Sequence, residues 1–228
     1  MKKHLRNLAV MITAASAVLA GSNRVAAVDV YVDPGKNWLG YMNVFELPAN
    51  GGAYLWGSGW GIADLNASFS ATMLTLTPNT IGDASSYWYT PSGGPGATGN
   101  KTMDANLYVE ETGLLSGQTV TFSGVVLANT LVSPYTSVAF IKDFAPDWSS
   151  FTSVTAPLAN GAFSISLATD PAPGRHVQYG FETIGPNVWV TDVASKGYVQ
   201  IALVPEPTSL SLLSLGLLCA LCLRAGRR

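Results

Sequence analysis

Cysteine is missing from residues 28–204 of this 228-residue chain; both cysteines, Cys219 and Cys222, lie near the C-terminus. No disulfide can stabilise the intervening region, so a packed core must, and about 175 residues suffice for one. Basic side chains are scarce there too. From Asp29 to Val204 the chain carries Lys36, Lys101, Lys142, Arg175 and Lys196 against thirteen acids. The resulting charge of −8 is masked in the whole-chain value of −2. So acidic a body argues against binding nucleic acid, which needs a basic face, and suits a soluble extracellular surface.

The shortage extends to catalytic residue types. His176 is the one histidine of the body, and no Gly-x-Ser-x-Gly elbow occurs. Nucleophilic catalysis lacks its base, and a zinc site lacks its ligands. His176 follows Pro173-Gly174-Arg175 at the mouth of an expected strand, where a loop role is expected. A glycoside hydrolase would need two carboxylates facing each other across about 5–9.5 Å. Glu110, Glu111, Glu182, Asp143 and Asp147 are the candidates, but the adjacent Glu110 and Glu111 point to opposite faces of a strand. No Asp-x-Asp-x-Asp-Gly loop is present, although acid-rich composition accommodates a structural Ca²⁺. The expectation is no catalytic residue and no cofactor, with Ca²⁺ as the one ion to consider and no ligands assigned. Cys219-x-x-Cys222 has no second pair and sits in an apolar run, which opposes a metal or redox role.

Helical periodicity is nearly absent from the body, and no repeat stands out. Short runs alternate with period two instead, between Gly, Pro, Asn and Asp. Phe163, Ile165 and Leu167 oppose Ser164 and Ser166; Met103, Ala105, Leu107 and Val109 oppose Asp104, Asn106, Tyr108 and Glu110. Thr119–Ser123 alternates likewise. Further expected strands are 41–47, 72–77, 137–142, 177–183, 187–193 and 197–204. Residues 50–61 and 91–100, rich in glycine, are expected as loops. Neither has the phosphate-cradling Gly-x-x-x-x-Gly-Lys-Ser/Thr pattern. Together these features predict an all-β fold, a single antiparallel β-sandwich or jelly roll over residues 28–204. An N-terminal signal helix and a C-terminal hydrophobic helix flank it.

Aromatics are the surplus: all six Trp, nine Tyr and eight Phe fall in the body. Phe163 and Trp189 sit in strand patterns that suit a core. Trp56 and Trp60 lie in the glycine-rich segment, Trp88 between Tyr87 and Tyr89, and Trp148 after Pro146-Asp147. These four are the candidate ligand-binding residues, because aromatic planes stack on the C–H faces of sugars beside a few polar groups.

The two ends read as targeting segments. Residues 1–27 combine Lys2, Lys3 and Arg6 with apolar Leu8–Ala20 and the small residues Val25-Ala26-Ala27, a signal peptide. At the other end Pro205-Glu206-Pro207 precedes Thr208–Leu223, with eight leucines in sixteen residues, and then Arg224, Arg227 and Arg228. That order resembles the PEP-CTERM sorting signal. The resemblance implies export, processing near the Pro-Glu-Pro by an exosortase-type membrane enzyme, and transient anchoring over residues 205–228. Leu210, Leu213, Leu217 and Leu221 would line the anchor, which reaches about 24 Å as a helix. The arginines would snorkel at its cytoplasmic end, leaving the body outside. More loosely, Thr119–Val126, Thr136–Phe144, Gly161–Leu167 and Val177–Phe181 resemble successive strands of β-sandwich carbohydrate-binding modules. That likeness implies an extracellular polysaccharide partner and no particular binding residue. The expected protein is exported, associated with the cell envelope, non-enzymatic and in contact with polysaccharide. The alternatives are an adhesive matrix protein without a saccharide pocket and a glycoside hydrolase.

Overall fold

A computed structural model describes residues 27–203. The expectations for the signal segment before Ala27 and for the tail from Pro205 onward, anchor and arginines included, lie outside the described residues. Fourteen strands follow one another: β1 (Ala27–Val30), β2 (Trp38–Glu46), β3 (Tyr54–Trp60), β4 (Ala67–Phe69), β5 (Met73–Leu76), β6 (Tyr89–Thr90), β7 (Thr98–Gly99), β8 (Lys101–Thr112), β9 (Thr119–Asn129), β10 (Thr136–Phe144), β11 (Phe151–Pro157), β12 (Gly161–Ala168), β13 (His176–Pro186) and β14 (Val199–Ala202). The helical elements among the described residues are short 3-10 turns at Pro48–Asn50 and Val193–Lys196. The fold is all-β.

One six-stranded sheet runs β11-β10-β13-β8-β2-β3 and is antiparallel throughout. The other is built on β9. It has β12 on one side, and β1 and then β14 on the other, with β5 and β4 beyond β14. β1 pairs with β9 in parallel, a departure from the antiparallel expectation. Period-two alternation sorts each strand. In β8 Met103, Ala105, Leu107 and Val109 are buried; in β13 Val177, Tyr179 and Phe181 are; in β9 Val120 and Phe122 are. The two sheets meet in one core through their rings, with Phe122 5.4 Å from Tyr179 and 5.3 Å from Phe181, and Phe163 6.0 Å from Phe181. Each fully buried ring contributes about 1.5–3 kcal/mol. On the far side of β9 and β12 the hydroxyls of Thr121 and Ser166 pair at 2.9 Å, and those of Ser123 and Ser164 at 3.0 Å.

The short strands β1, β4, β6 and β7 are not among the expected ones, β7 falling within the expected loop 91–100, and three further segments depart from expectation. The glycine-rich run expected as a loop is the edge strand β3, in register with β2. Glycine in a strand marks a close approach, and a Cβ on Gly57 would come within 2.8 Å of Asn43 Oδ1 and of the Tyr41 ring. Residues 187–193, expected as a strand, make a single bridge, Thr80 to Val188, before the second 3-10 turn. Asn187 replaces the ladder there: its side chain accepts from Lys101 N (3.0 Å) and donates to Trp88 O (2.9 Å). Trp189 therefore lies outside any strand, partly buried, with its ring 5.4 Å from Tyr89. Strand β11 escaped the sequence reading because it is a mostly exposed edge with little contrast between its faces.

Candidate functional site

Side chains that alternate away from the core cover the outer face of the β11-to-β3 sheet. β2 supplies Tyr41 and Asn43, β8 supplies Asp104, Asn106, Tyr108 and Glu110, β10 supplies Lys142 and Phe144, and β13 supplies His176, Gln178 and Glu182. The registers bring them together: Tyr41 faces Asn106, Lys142 faces Gln178, and Gln178 faces Glu110. A groove of about 550 Å³ crosses this face. Tyr41, Asn43, Asn106, Tyr108, Lys142, Phe144, Trp148, Phe151 and Gln178 line it.

The hairpin between β10 and β11 builds one wall of the groove. Phe144 pairs with Phe151 across it, ring to ring at 4.9 Å. The tip is held by Trp148 N donating to Ala145 O (2.9 Å) and by Asp147 Oδ1, which accepts from Ser149 N (3.1 Å) and Ser149 Oγ (2.6 Å). These bonds keep Trp148 at φ 62°, a left-handed conformation that side-chain-bearing residues rarely adopt. Such strain persists where surrounding contacts impose it, and it gathers at ligand sites. The indole stacks on His176, centroids 4.1 Å apart and planes 18° apart, and packs 5.1 Å from Phe144. It is nevertheless half exposed, as is Phe151.

A polar line crosses the floor. Asn43 donates to Asp104 (3.1 Å), Asn106 donates to Asp104 (2.9 Å), and Lys142 donates to Asn106 Oδ1 (2.9 Å) and pairs with Glu182. Beside it Gln178 donates to Glu110 Oε2 (2.9 Å), whose other oxygen meets Thr112 Oγ1 and His176 Nδ1, both at 3.1 Å. None of the residues lining the groove is a carboxylate; Asp104, Glu110 and Glu182 stand behind the amides and the lysine. Burial, and then repulsion from Glu182, raise the Asp104 carboxyl from 3.8 to about 6, against the Asn43, Lys142 and Asn106 contacts. Between about pH 4 and pH 6 the folded protein thus holds a proton that the unfolded chain has released. Stability falls as pH rises through that window, by at most about 1.4 kcal/mol per pH unit for one proton. Asp104→Asn is expected to remove that component in urea titrations repeated at stepped pH; a variant with the wild-type slope would place its origin elsewhere.

Of the four tryptophans read from the sequence, Trp148 alone lines this groove. Trp56 and Trp60, on β3 rather than in a loop, cluster with Trp88 at the β3 edge of the core, Trp56 lying 6.4 Å from Trp60 and 6.2 Å from Trp88. Trp56 Nε1 donates to the Tyr87 hydroxyl (3.2 Å) and Trp60 Nε1 to Ser58 Oγ (3.0 Å), and all three indoles are partly buried against the core. Sequence reasoning missed Tyr41, Asn43, Asn106, Tyr108, Lys142, Phe144, Phe151 and Gln178. Only the alternation of Asn106 and Tyr108 against the core residues of β8 hinted at this face. Glu110 and Glu111 do point opposite ways, Glu110 to His176 and Gln178, Glu111 to Lys36 (3.2 Å). Among the described residues no three His, Cys, Asp or Glu side chains gather to hold a metal ion.

No curated protein and no solved structure matches this chain. The family model that matches does so at residues 203–228, which carry the PEP-CTERM protein-sorting motif and so imply an exported surface protein processed by an exosortase.

Proposed function

We propose that this exported protein is a non-enzymatic β-sandwich that contacts extracellular polysaccharide through the groove on the outer face of the β11-to-β3 sheet. The carrying observation is the half-exposed, backbone-strained Trp148, stacked on His176 beside Phe144 and Phe151 and above a floor of amides and tyrosine rings. Stacking surfaces for C–H faces and ordered polar groups for hydroxyls are what a saccharide site combines. The sorting motif supports the setting, because it delivers the body to the cell surface, where such polymers lie. Anchoring by residues 208–223, with the arginines cytoplasmic, belongs to the same reading.

Affinity electrophoresis of the full chain in gels containing neutral, amino or acidic polysaccharides tests the reading. At least one polymer is expected to retard it. Trp148→Ala is expected to weaken that retardation about tenfold or more, in line with the loss of one aromatic stacking anchor. Trp56→Ala should alter stability alone, since that ring packs against the core. Equal effects of the two substitutions, or no retardation by any polymer, would favour the adhesive matrix protein without a pocket.

A further inference from the structure

The amides of the groove are not free to turn. A carboxylate only accepts hydrogen bonds, so an amide beside one must offer it the NH₂ group. Asp104 fixes Asn43 and Asn106 in this way, and Glu110 fixes Gln178. The oxygens of three amides are thereby directed away from the carboxylates. Lys142 occupies that of Asn106, while Asn43 Oδ1 and Gln178 Oε1 accept nothing from the described residues. The groove therefore presents oriented acceptors.

The surrounding charges have the same polarity. Asp104, Glu110 and Glu182 face one lysine, Lys142, which is committed to Glu182 and Asn106. Among the described residues neither Asp104 nor Glu110 has a lysine or arginine within ion-pair distance; the ionisable partner of Glu110 is His176. An ammonium group carries three donors and a positive charge, and complements such a surface. A uronate would bring a fourth negative charge to three.

We infer that the groove selects polysaccharide bearing free amino groups, a hexosamine polymer at least partly de-N-acetylated, over neutral or uronic-acid polymers. The inference rests on the polysaccharide reading above and adds the charge class of the ligand. The amino group would approach the acceptors of Asn43 and Gln178 while a sugar face covers Trp148 or Phe151. Asp104 and Glu110 are positioning residues that turn the amides and supply the field.

The test compares retention of the full chain on chitosan, chitin and polygalacturonate beads at about pH 6.5, where the ionised form of Asp104 predominates. Chitosan is expected to retain the protein about tenfold better than chitin, with the advantage lost at high salt. Asp104→Asn and Glu110→Gln, two independent variants checked for a native circular dichroism spectrum and a cooperative melt, should each reduce chitosan retention about threefold or more and leave chitin retention alone. Asp29→Asn, an equal charge change on β1 of the other sheet, should do nothing. If Asp29→Asn is as damaging as the groove variants, the attraction is diffuse and the inference fails. Equal or better retention on chitin, or preference for polygalacturonate, overturns it while sparing the polysaccharide reading. No retention on any of the three polymers removes both.

Discussion

Asp143→Ala is expected to destabilise the fold by about 3–5 kcal/mol, the cost of leaving a buried cation without its partner. Asp143 is the one charged side chain with zero exposure among the buried residues described. Its Oδ1 accepts from Arg175 Nε (2.8 Å) and its Oδ2 from Asp170 N (2.7 Å), while its backbone carbonyl accepts from a terminal Arg175 nitrogen (2.9 Å). The Asp143 hydrogen bond holds the Arg175 guanidinium above its ordinary range. These bonds fasten the segment entering β13 to the end of β10, and Gly113 N donating to Arg175 O (2.8 Å) adds β8 to the same knot. The substitution strands Arg175, itself nearly buried, and orphans the Asp170 N–H. Urea unfolding gives the measurement. Asp143→Ala combined with Arg175→Leu should cost less than Asp143→Ala alone, because no charge is then left unpaired. A single variant within about 1 kcal/mol of wild type would show that water reaches Arg175 and that the pair contributes as little as a surface bridge.

The sequence was most legible where burial contrast was greatest. β12 declares itself because Phe163 and Ile165 enter the core while Ser164 and Ser166 face solvent, and β8 because its odd and even positions differ in the same way. β3 could not be read so: glycine at 57 and 59 serves the outer face, and the indoles of Trp56 and Trp60 meet the core from an edge. The stretch 187–193 misled for the opposite reason, since apolar Val188 and Val190 mimic a strand that Asn187 interrupts. The groove was the least legible part. Gln178 and Glu110 lie 68 positions apart, and Lys142 and Glu182 lie 40 apart; register alone unites them. Alternation gives each strand's faces but not which strand lies beside it. Trp148 could be singled out because a Pro-Asp turn precedes it, whereas Phe151 and Tyr41 carried no comparable mark.

Replacing Pro205, Glu206 and Pro207 with alanine is expected to abolish processing of the exported chain, an all-or-none effect on its mass and location. The motif follows the last described strand closely in sequence. β14 is an interior strand between β5 and β9, and the next residue, Leu203, is 8% exposed, its N–H bonded to Thr72 O at 3.0 Å. Val204 alone separates Leu203 from Pro205, so the motif begins within about 7 Å of a core residue. With one residue between the last described core residue and the motif, a processing enzyme is expected to work close to the folded body. Alanines leave Thr208–Leu223 and the arginines intact, so membrane insertion should continue while cleavage stops. Mass spectrometry of fractionated cells is expected to show the wild type shortened near residue 205 and the variant full-length in the membrane fraction. Inserting a short Gly-Ser spacer after Val204 should leave the wild-type motif cleavable and speed its processing if the adjacent fold limits access. Should wild type and alanine variant both remain full-length and membrane-bound, the tail would act as a permanent anchor rather than a processed signal.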